Sequence, residues 1–275
     1  MRAPVITKTK MLKKIFNKLK IVKNTKLNDE ERFLVHKRNL ENKKLLKSCY
    51  SDFYKEILKM ENKLKKSENN LIRIELGSGV GFLKQYDSSI ITSDVVYNKF
   101  TDKVLDANNL PYKENTIDSI FGIFCFHHFK DPFSFLKDLE KKLKPGGLCI
   151  LVEPYYGPLA KILYKQVHDS EYFDAEEKFN TKVENKTAME KANQALSYIF
   201  FIKNSKKFKE NFPKLEIVNT YVFDNYIRFL LSGGLNFKTL IPDFFNFFII
   251  LIEKLISPLK KIFGIHYLIV IKKDN

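Results

Sequence analysis

The stretch Leu71-Ile72-Arg73-Ile74-Glu75-Leu76 leads directly into Gly77-Ser78-Gly79-Val80-Gly81. A short apolar run ending in closely spaced glycines reads as a strand feeding a turn. A ligand can approach the backbone of such a turn, and a helix following it would present free N–H groups there. The texture persists downstream. Strands are predicted at 71–76, 89–94, 102–105, 117–125, 148–153, 215–221 and 265–271. Helical patterns lie between most of them. One is 133–143, whose Phe133, Phe135, Leu136, Leu139 and Leu143 fall largely on one face. Strands alternating with helices predict an α/β fold with a parallel sheet covered on both faces. No internal repeat is visible. Two connections are longer than ordinary ones, giving insertions at about 155–213 and 222–263.

Residues 1–68 form a basic helical N-terminal extension in this reading, ahead of a domain over 69–275. The first 28 residues carry nine basic side chains and no acid. Apolar groups at 12, 15, 16, 19 and 22 have helical spacing, with lysines opposite. The stretch is read as a tail helix, with an interfacial helix on anionic lipid as the alternative. Lysines interrupt any h-region of a secretory signal. Residues 29–68 also look helical, with an apolar side through Phe33, Leu40, Leu46, Tyr50, Phe53 and Ile57; it is read as one or two helices packed on the domain, with a cap over a ligand site as the alternative.

The formal net charge of +16 invites nucleic-acid or membrane partners, yet the bias toward Lys, Asn, Ile and Phe is also what AT-rich coding DNA produces. Three scattered cysteines exclude a disulfide scaffold, and no Cys/His cluster at metal-ligand spacing appears, so no metal is expected. Buried thiols in a reducing compartment fit a cytoplasmic protein, with peripheral membrane association left open.

Chemistry concentrates in order along the strands. A dinucleotide fingerprint would place glycine or alanine at 82, but Phe82 stands there and the third glycine is Gly81, which argues against NAD. Asp94 closes the second strand, where an acid can accept hydrogen bonds from a ribose diol. Asp106-Ala107-Asn108 follows the third, placed for an adenine edge. Asp118 opens an apolar strand that leads to His127-His128-Phe129, and Leu143-Lys144-Pro145-Gly146-Gly147 turns the chain back into the fifth.

Together these pieces over 71–154 resemble the class I S-adenosylmethionine-dependent methyltransferases, of the methyltransferase type 11 group. Glu75-x-Gly77-x-Gly79-x-Gly81 matches that family's first motif, Asp94 its ribose-binding acid, and Asp106-Ala107 its adenine-side pair. The resemblance implies a Rossmann-like seven-stranded sheet with helices on both faces and the last strand antiparallel. It implies S-adenosyl-L-methionine as cofactor, held by Glu75, Gly77, Ser78, Gly79, Gly81, Asp94, Asp106 and Ala107. His127 and His128, after the fourth strand, are catalytic candidates if the acceptor must lose a proton. Glu153, Tyr155 and Asn193 are candidate substrate contacts.

A small-molecule, sugar or lipid-linked acceptor is expected. The alternatives are an RNA methyltransferase using the basic tail, or a non-catalytic cofactor-fold binding module. Phe124-Cys125-Phe126-His127 stands where base-amino methyltransferases carry an Asp/Asn-Pro-Pro-Tyr tetrapeptide, so nucleic acid is not the expected partner. The uncharged run 244–252 is too short to span a bilayer. It is read as a lid over the core, or alternatively as a surface that dips into a membrane.

Overall fold

The computed structural model describes residues 18–21, 29–65, 71–167, 171–182 and 192–274. Seven strands make one sheet: β1 Arg73–Leu76, β2 Ile91–Asp94, β3 Lys103–Val104, β4 Ile117–Ile123, β5 Leu143–Pro154, β8 Leu215–Val222 and β9 His266–Lys273. Their order is β3-β2-β1-β4-β5-β9-β8. The pairs among β1 to β5 are parallel, while β9 runs antiparallel to both β5 and β8. All seven predicted strands are present, and the last has the expected direction. Two short strands, β6 Glu171–Tyr172 and β7 Ala192–Asn193, pair separately within the first insertion.

The helices used below are α1 Asp29–Asn42, α2 Lys44–Leu64, α3 Pro132–Lys142, α4 Pro158–Val167, α5 Ser205–Asn211, α6 Tyr226–Ser232 and α7 Asn246–Ile256. Helix α3 starts where the sequence dictates. Asp131 accepts from Ser134 N, and Pro132 occupies the first turn, where no amide donor is needed.

The sheet is buried on both sides, and β5 shows how. Leu148, Ile150 and Val152 point to one side, where they join Phe121, Leu268 and Val270 against Leu46, Phe53 and Ile57 of α2. Cys149 and Leu151 point to the other, joining Ile120, Ile269 and Ile271 against Phe135 and Leu139 of α3. Each such side chain stabilises the fold by about 1.5–3 kcal/mol relative to exposure.

One expectation fails at the glycine turn. No regular helix follows it; the chain makes only a single 3-10 turn, Phe82–Gln85. The layer that such a helix would fill is taken by α2, which packs against Phe82 and Leu83 as well as the sheet. Buried Arg73 ties α2 to β1 by pairing with Glu61, and Ser119 of β4 donates to the same carboxylate.

The helical stretch predicted over 29–68 forms two helices, parted at Lys43, whose extended backbone separates α1 from α2. The Lys43 ammonium is turned inward onto the carbonyls of Gly234 and Phe237, and burial lowers its pKa to about 8. Most of the amphipathic stretch 12–22 lies outside the described residues. Within it, Leu19 and Ile21 exchange backbone hydrogen bonds with Lys238 and Asn236, so this segment lies along the loop that follows α6.

Candidate active site

The carboxyl ends of β1, β2, β4 and β5 meet at one edge, and a cavity of about 360 Å³ opens there. The first wall is the glycine turn. Gly77, Gly79 and Gly81 all have left-handed backbone, at φ +61°, +55° and +67°. A Cβ at Gly77 would stand 2.6 Å from the Cβ of Cys125, so only glycine lets the turn meet the segment after β4. A Cβ at Gly79 would meet nothing within 4 Å, which leaves the turn's outer surface open to a ligand. The Ser78 hydroxyl donates to Glu75 O and accepts from Ser93 N, sewing the turn to β2.

Two acids face this turn. The Asp94 carboxylate accepts from Gly79 N at 3.0 Å and from Val96 N at 3.2 Å. Glu75 is buried and its Oε2 has no hydrogen-bond partner. Burial pushes the Glu75 carboxyl up to about 8, and the charge of Asp94 adds to the rise. Glu75, Gly77, Ser78, Gly79 and Asp94 all line the cavity. Gly81 does not: its inner side abuts Phe100 O, which gives it a role in the turn itself. Asp106 and Ala107 also stay off the cavity wall. Asp106 is exposed and accepts from Asn108 N, while Ala107 is buried in the core.

The second wall is the loop after β4. Phe124 takes a left-handed backbone, φ +54°, unusual for a bulky side chain. Its ring packs against Tyr50, Phe53, Phe229 and His266. The chain then folds back across the strand ends, and Glu153 holds it there. Glu153 Oε1 accepts from Cys125 N at 3.0 Å and Phe126 N at 2.9 Å, while Oε2 meets His127 Nδ1 at 2.6 Å. Glu153 is fully buried and spent on these contacts, so it positions the loop rather than reaching for a substrate. Burial by itself would lower the His127 pKa; the charge and hydrogen bond of Glu153, helped by Glu171, outweigh it and raise the imidazolium above its ordinary value.

The first insertion supplies Glu171. Its Oε2 stands 4.0 Å from His127 Nε2, and its Oε1 stands 3.6 Å from His128 Nε2. Gln194 donates to the same carboxylate. His127, His128 and Glu171 thus bring ligand atoms within 4.8 Å of one another, placed to share a proton; the same donor types could also meet a transition metal.

The remaining wall is apolar and comes from both ends of the chain: Phe33 and Leu40 of α1, Tyr50 and Tyr54 of α2, Phe229 and Leu230 of α6, and Leu240 beyond it. His36 and His266 line this part too, and burial lowers them to about 4 and about 3, so both are neutral at ordinary pH.

Two predicted substrate contacts lie elsewhere. Tyr155 is buried against Tyr156 and Tyr267 and outside the cavity lining. Asn193 is fully buried and spends its amide on Asp174 and Ala195, closing the β6–β7 ribbon. Its neighbour Gln194 faces the cavity instead. Sequence reasoning passed over Glu171 and Gln194 as site residues because they sit in an insertion with no periodic pattern to fix which way they point.

Residues 74–151 match the family model described as a methyltransferase domain. A tRNA U34 carboxymethyltransferase of Nautilia profundicola is 28% identical over 114 residues, 41% of this chain and 35% of that protein. A demethylmenaquinone methyltransferase of Staphylococcus epidermidis is 37% identical over 68 residues, 25% of this chain and 27% of its own length. The chain thus spans about a third or less of these curated relatives. Among solved structures, the phosphoethanolamine N-methyltransferase 2 of Haemonchus contortus with S-adenosyl-L-methionine aligns over 96% of this chain and 60% of its own, at 11% identity and TM-score 0.47. A SAM-dependent methyltransferase of Aquifex aeolicus aligns over 80% and 89%, at 14% identity and TM-score 0.41. Over residues 74–151, with its glycine turn, its strand-end acids and this sheet order, the chain matches the methyltransferase domain family.

Proposed function

We propose that this protein methylates a partly apolar small molecule or lipid-linked acceptor, using S-adenosyl-L-methionine. One observation carries the reading. A single cavity joins the glycine turn, the His127–Glu171 pair and a long apolar wall. The cofactor brings a methyl group on a positively charged sulfur, open to in-line displacement. The residues present suit it. The orphaned carboxylate oxygen of Glu75 can meet a cationic group, Asp94 can take hydroxyl donors, and the open side of Gly79 admits a close approach. Asp106 and Ala107 stay assigned to the adenine side by the family motif alone.

The rest of the chemistry belongs to the chain. Glu153 fixes the His127 ring so that Nε2 faces the cavity side and Glu171. An acceptor hydroxyl entering beside this pair can pass its proton to the His127–Glu171 unit as the methyl arrives, and the charged carboxylates steady the imidazolium formed. Neutral His266, with Phe124 and Phe229 packed on it, keeps that region dry and apolar. Dryness strengthens the electrostatics and excludes water as a competing acceptor.

The test is methyl-labelled cofactor with cell extract, separated into organic, aqueous and RNA fractions. Label in the organic or small-molecule fraction supports the reading. Label in tRNA would favour an activity nearer that named for the Nautilia relative and overturn the acceptor class proposed. Absence of cofactor affinity by calorimetry would return the chain to a non-catalytic binding module.

A further inference from the structure

Helix α7 is built inside out. Its inward side carries Ile249 and Glu253, both buried. Its outward side carries Phe247, Phe248, Leu251, Ile252 and Leu255, which are 48–81% exposed. An ordinary surface helix has the reverse arrangement, apolar inside and charged outside. The helix is nevertheless fixed. Glu253 pairs with Arg228 of α6 through both side chain and backbone, and Arg228 continues to Asp52 and Ser48 of α2. The polar side therefore anchors α7, and the apolar side is held outward. The expected lid over the core does not form; only the Ile249–Glu253 side turns inward. The apolar strip continues through Leu259, Ile262 and Phe263. Eleven of the twenty exposed large apolar side chains among the described residues lie between Leu240 and Phe263.

We propose that this strip docks on an anionic lipid bilayer and lies in its interface. Charge selects that partner. Lys238, Lys254 and Lys261 are exposed around the strip, whereas its two acids are turned away, Glu253 buried on Arg228 and Asp243 half-buried. Phenylalanines and leucines flanked by lysines on an outward helix face are the composition that enters the headgroup boundary of anionic membranes. Crossing is not at issue, since no described helix is long and apolar enough to span. Position supports the same partner. Lys238 and Leu240, at one end of the strip, also line the cavity. A bilayer under the strip would thus lie at the cavity mouth and deliver an apolar acceptor there. This last clause rests on the acceptor class proposed above; the docking itself does not.

The test is co-sedimentation of the full chain with vesicles of phosphatidylcholine alone, and with about one third phosphatidylglycerol. The double variant Phe247→Ser with Leu255→Ser is run beside it, both sites being outward and free of core packing. The wild-type chain is expected to pellet with the anionic vesicles. The variant is expected to lose on the order of 100-fold in partitioning, about tenfold per apolar side chain withdrawn. Its melting temperature and calorimetric affinity for S-adenosylmethionine should stay unchanged. Wild-type protein left in the supernatant overturns the proposal. So does a variant that pellets equally, because the lysines alone would then account for binding. A wild-type dimer that becomes monomeric in the variant, without vesicle binding, assigns the strip to a second copy of the chain and also overturns it. Vesicle binding without cofactor affinity would leave the docking standing and remove the methyltransferase reading.

Discussion

Replacing Glu153 by glutamine tests the reasoning about the active-site loop most directly. The substitution keeps the shape and removes the charge that three donors share: Cys125 N, Phe126 N and His127 Nδ1. A hydrogen bond to a charged partner nets about 1.5–3 kcal/mol, against about 1 kcal/mol for a neutral one. Neutralising a carboxylate that serves three donors therefore costs about 2–4 kcal/mol of folding stability.

The pH dependence is the sharper signature. In the wild type, His127 is raised above an unfolded value of about 6.5. Its contribution is fully present below about pH 6.5 and is lost as pH rises through the folded value. In the variant only the more distant Glu171 opposes burial, so the folded pKa of His127 falls and the stability it contributes at acid pH shrinks. The stability gap must widen on acidification. Urea unfolding of both proteins between about pH 5.5 and 8 measures it, with the His127 imidazole titration followed by NMR. A gap that is flat, or that narrows toward acid, refutes the assignment of Glu153 as the counter-charge. Turnover should fall about 10²- to 10⁴-fold if the pair handles the proton.

Gly77→Ala forces a Cβ to 2.6 Å from Cys125 at φ +61°, and should cost about 1–3 kcal/mol in thermal denaturation together with most cofactor affinity. Glu75, raised to about 8, should release a proton when a cation binds beside it. Cofactor affinity should therefore climb with pH up to about 8, and calorimetry at pH 7 in buffers of different ionisation enthalpy should register the proton released. Glu253→Ala leaves Arg228 buried without its main partner and should destabilise by about 3–5 kcal/mol, whereas Glu41→Ala, which breaks the solvated i,i+4 pair with Lys37, should change stability by less than about 0.5 kcal/mol. If His127, His128 and Glu171 share a proton rather than a metal, dialysis against a chelator should leave turnover unchanged.

The sheet was legible in the sequence because strands buried on both faces are runs of Ile, Leu and Val bounded by breakers, and glycines at 77, 79 and 81 have few other uses. Glu75 and Asp94 were legible for the same reason, since each sits at a strand end whose position the run fixes. His127 and His128 were placed correctly at the edge, but not their partners. Glu153 looked like a substrate contact because its position at the end of β5 is right; only the backbone kink at Phe124 turns the loop amides onto it. Glu171 comes from a two-residue strand whose pairing depends on β7, some 20 residues further on. The missing helix after the glycine turn could not be read locally either. Nothing in residues 77–90 says that a helix from the N-terminal extension already occupies that layer.

That substitution of one helix for another reaches beyond the folded state. Helix α2 completes its core against Leu268 and Val270 of β9, some 200 residues later in the chain. At about 5–20 residues per second, a ribosome needs roughly 10–40 s to supply that strand. Through that interval the apolar stripe of α2 is without its final cover, and the sheet cannot close around a strand not yet made. The core around α2 therefore closes only after β9 is made, and a shortage of holding chaperones should reach this chain before it reaches a fold whose core is completed by neighbouring segments.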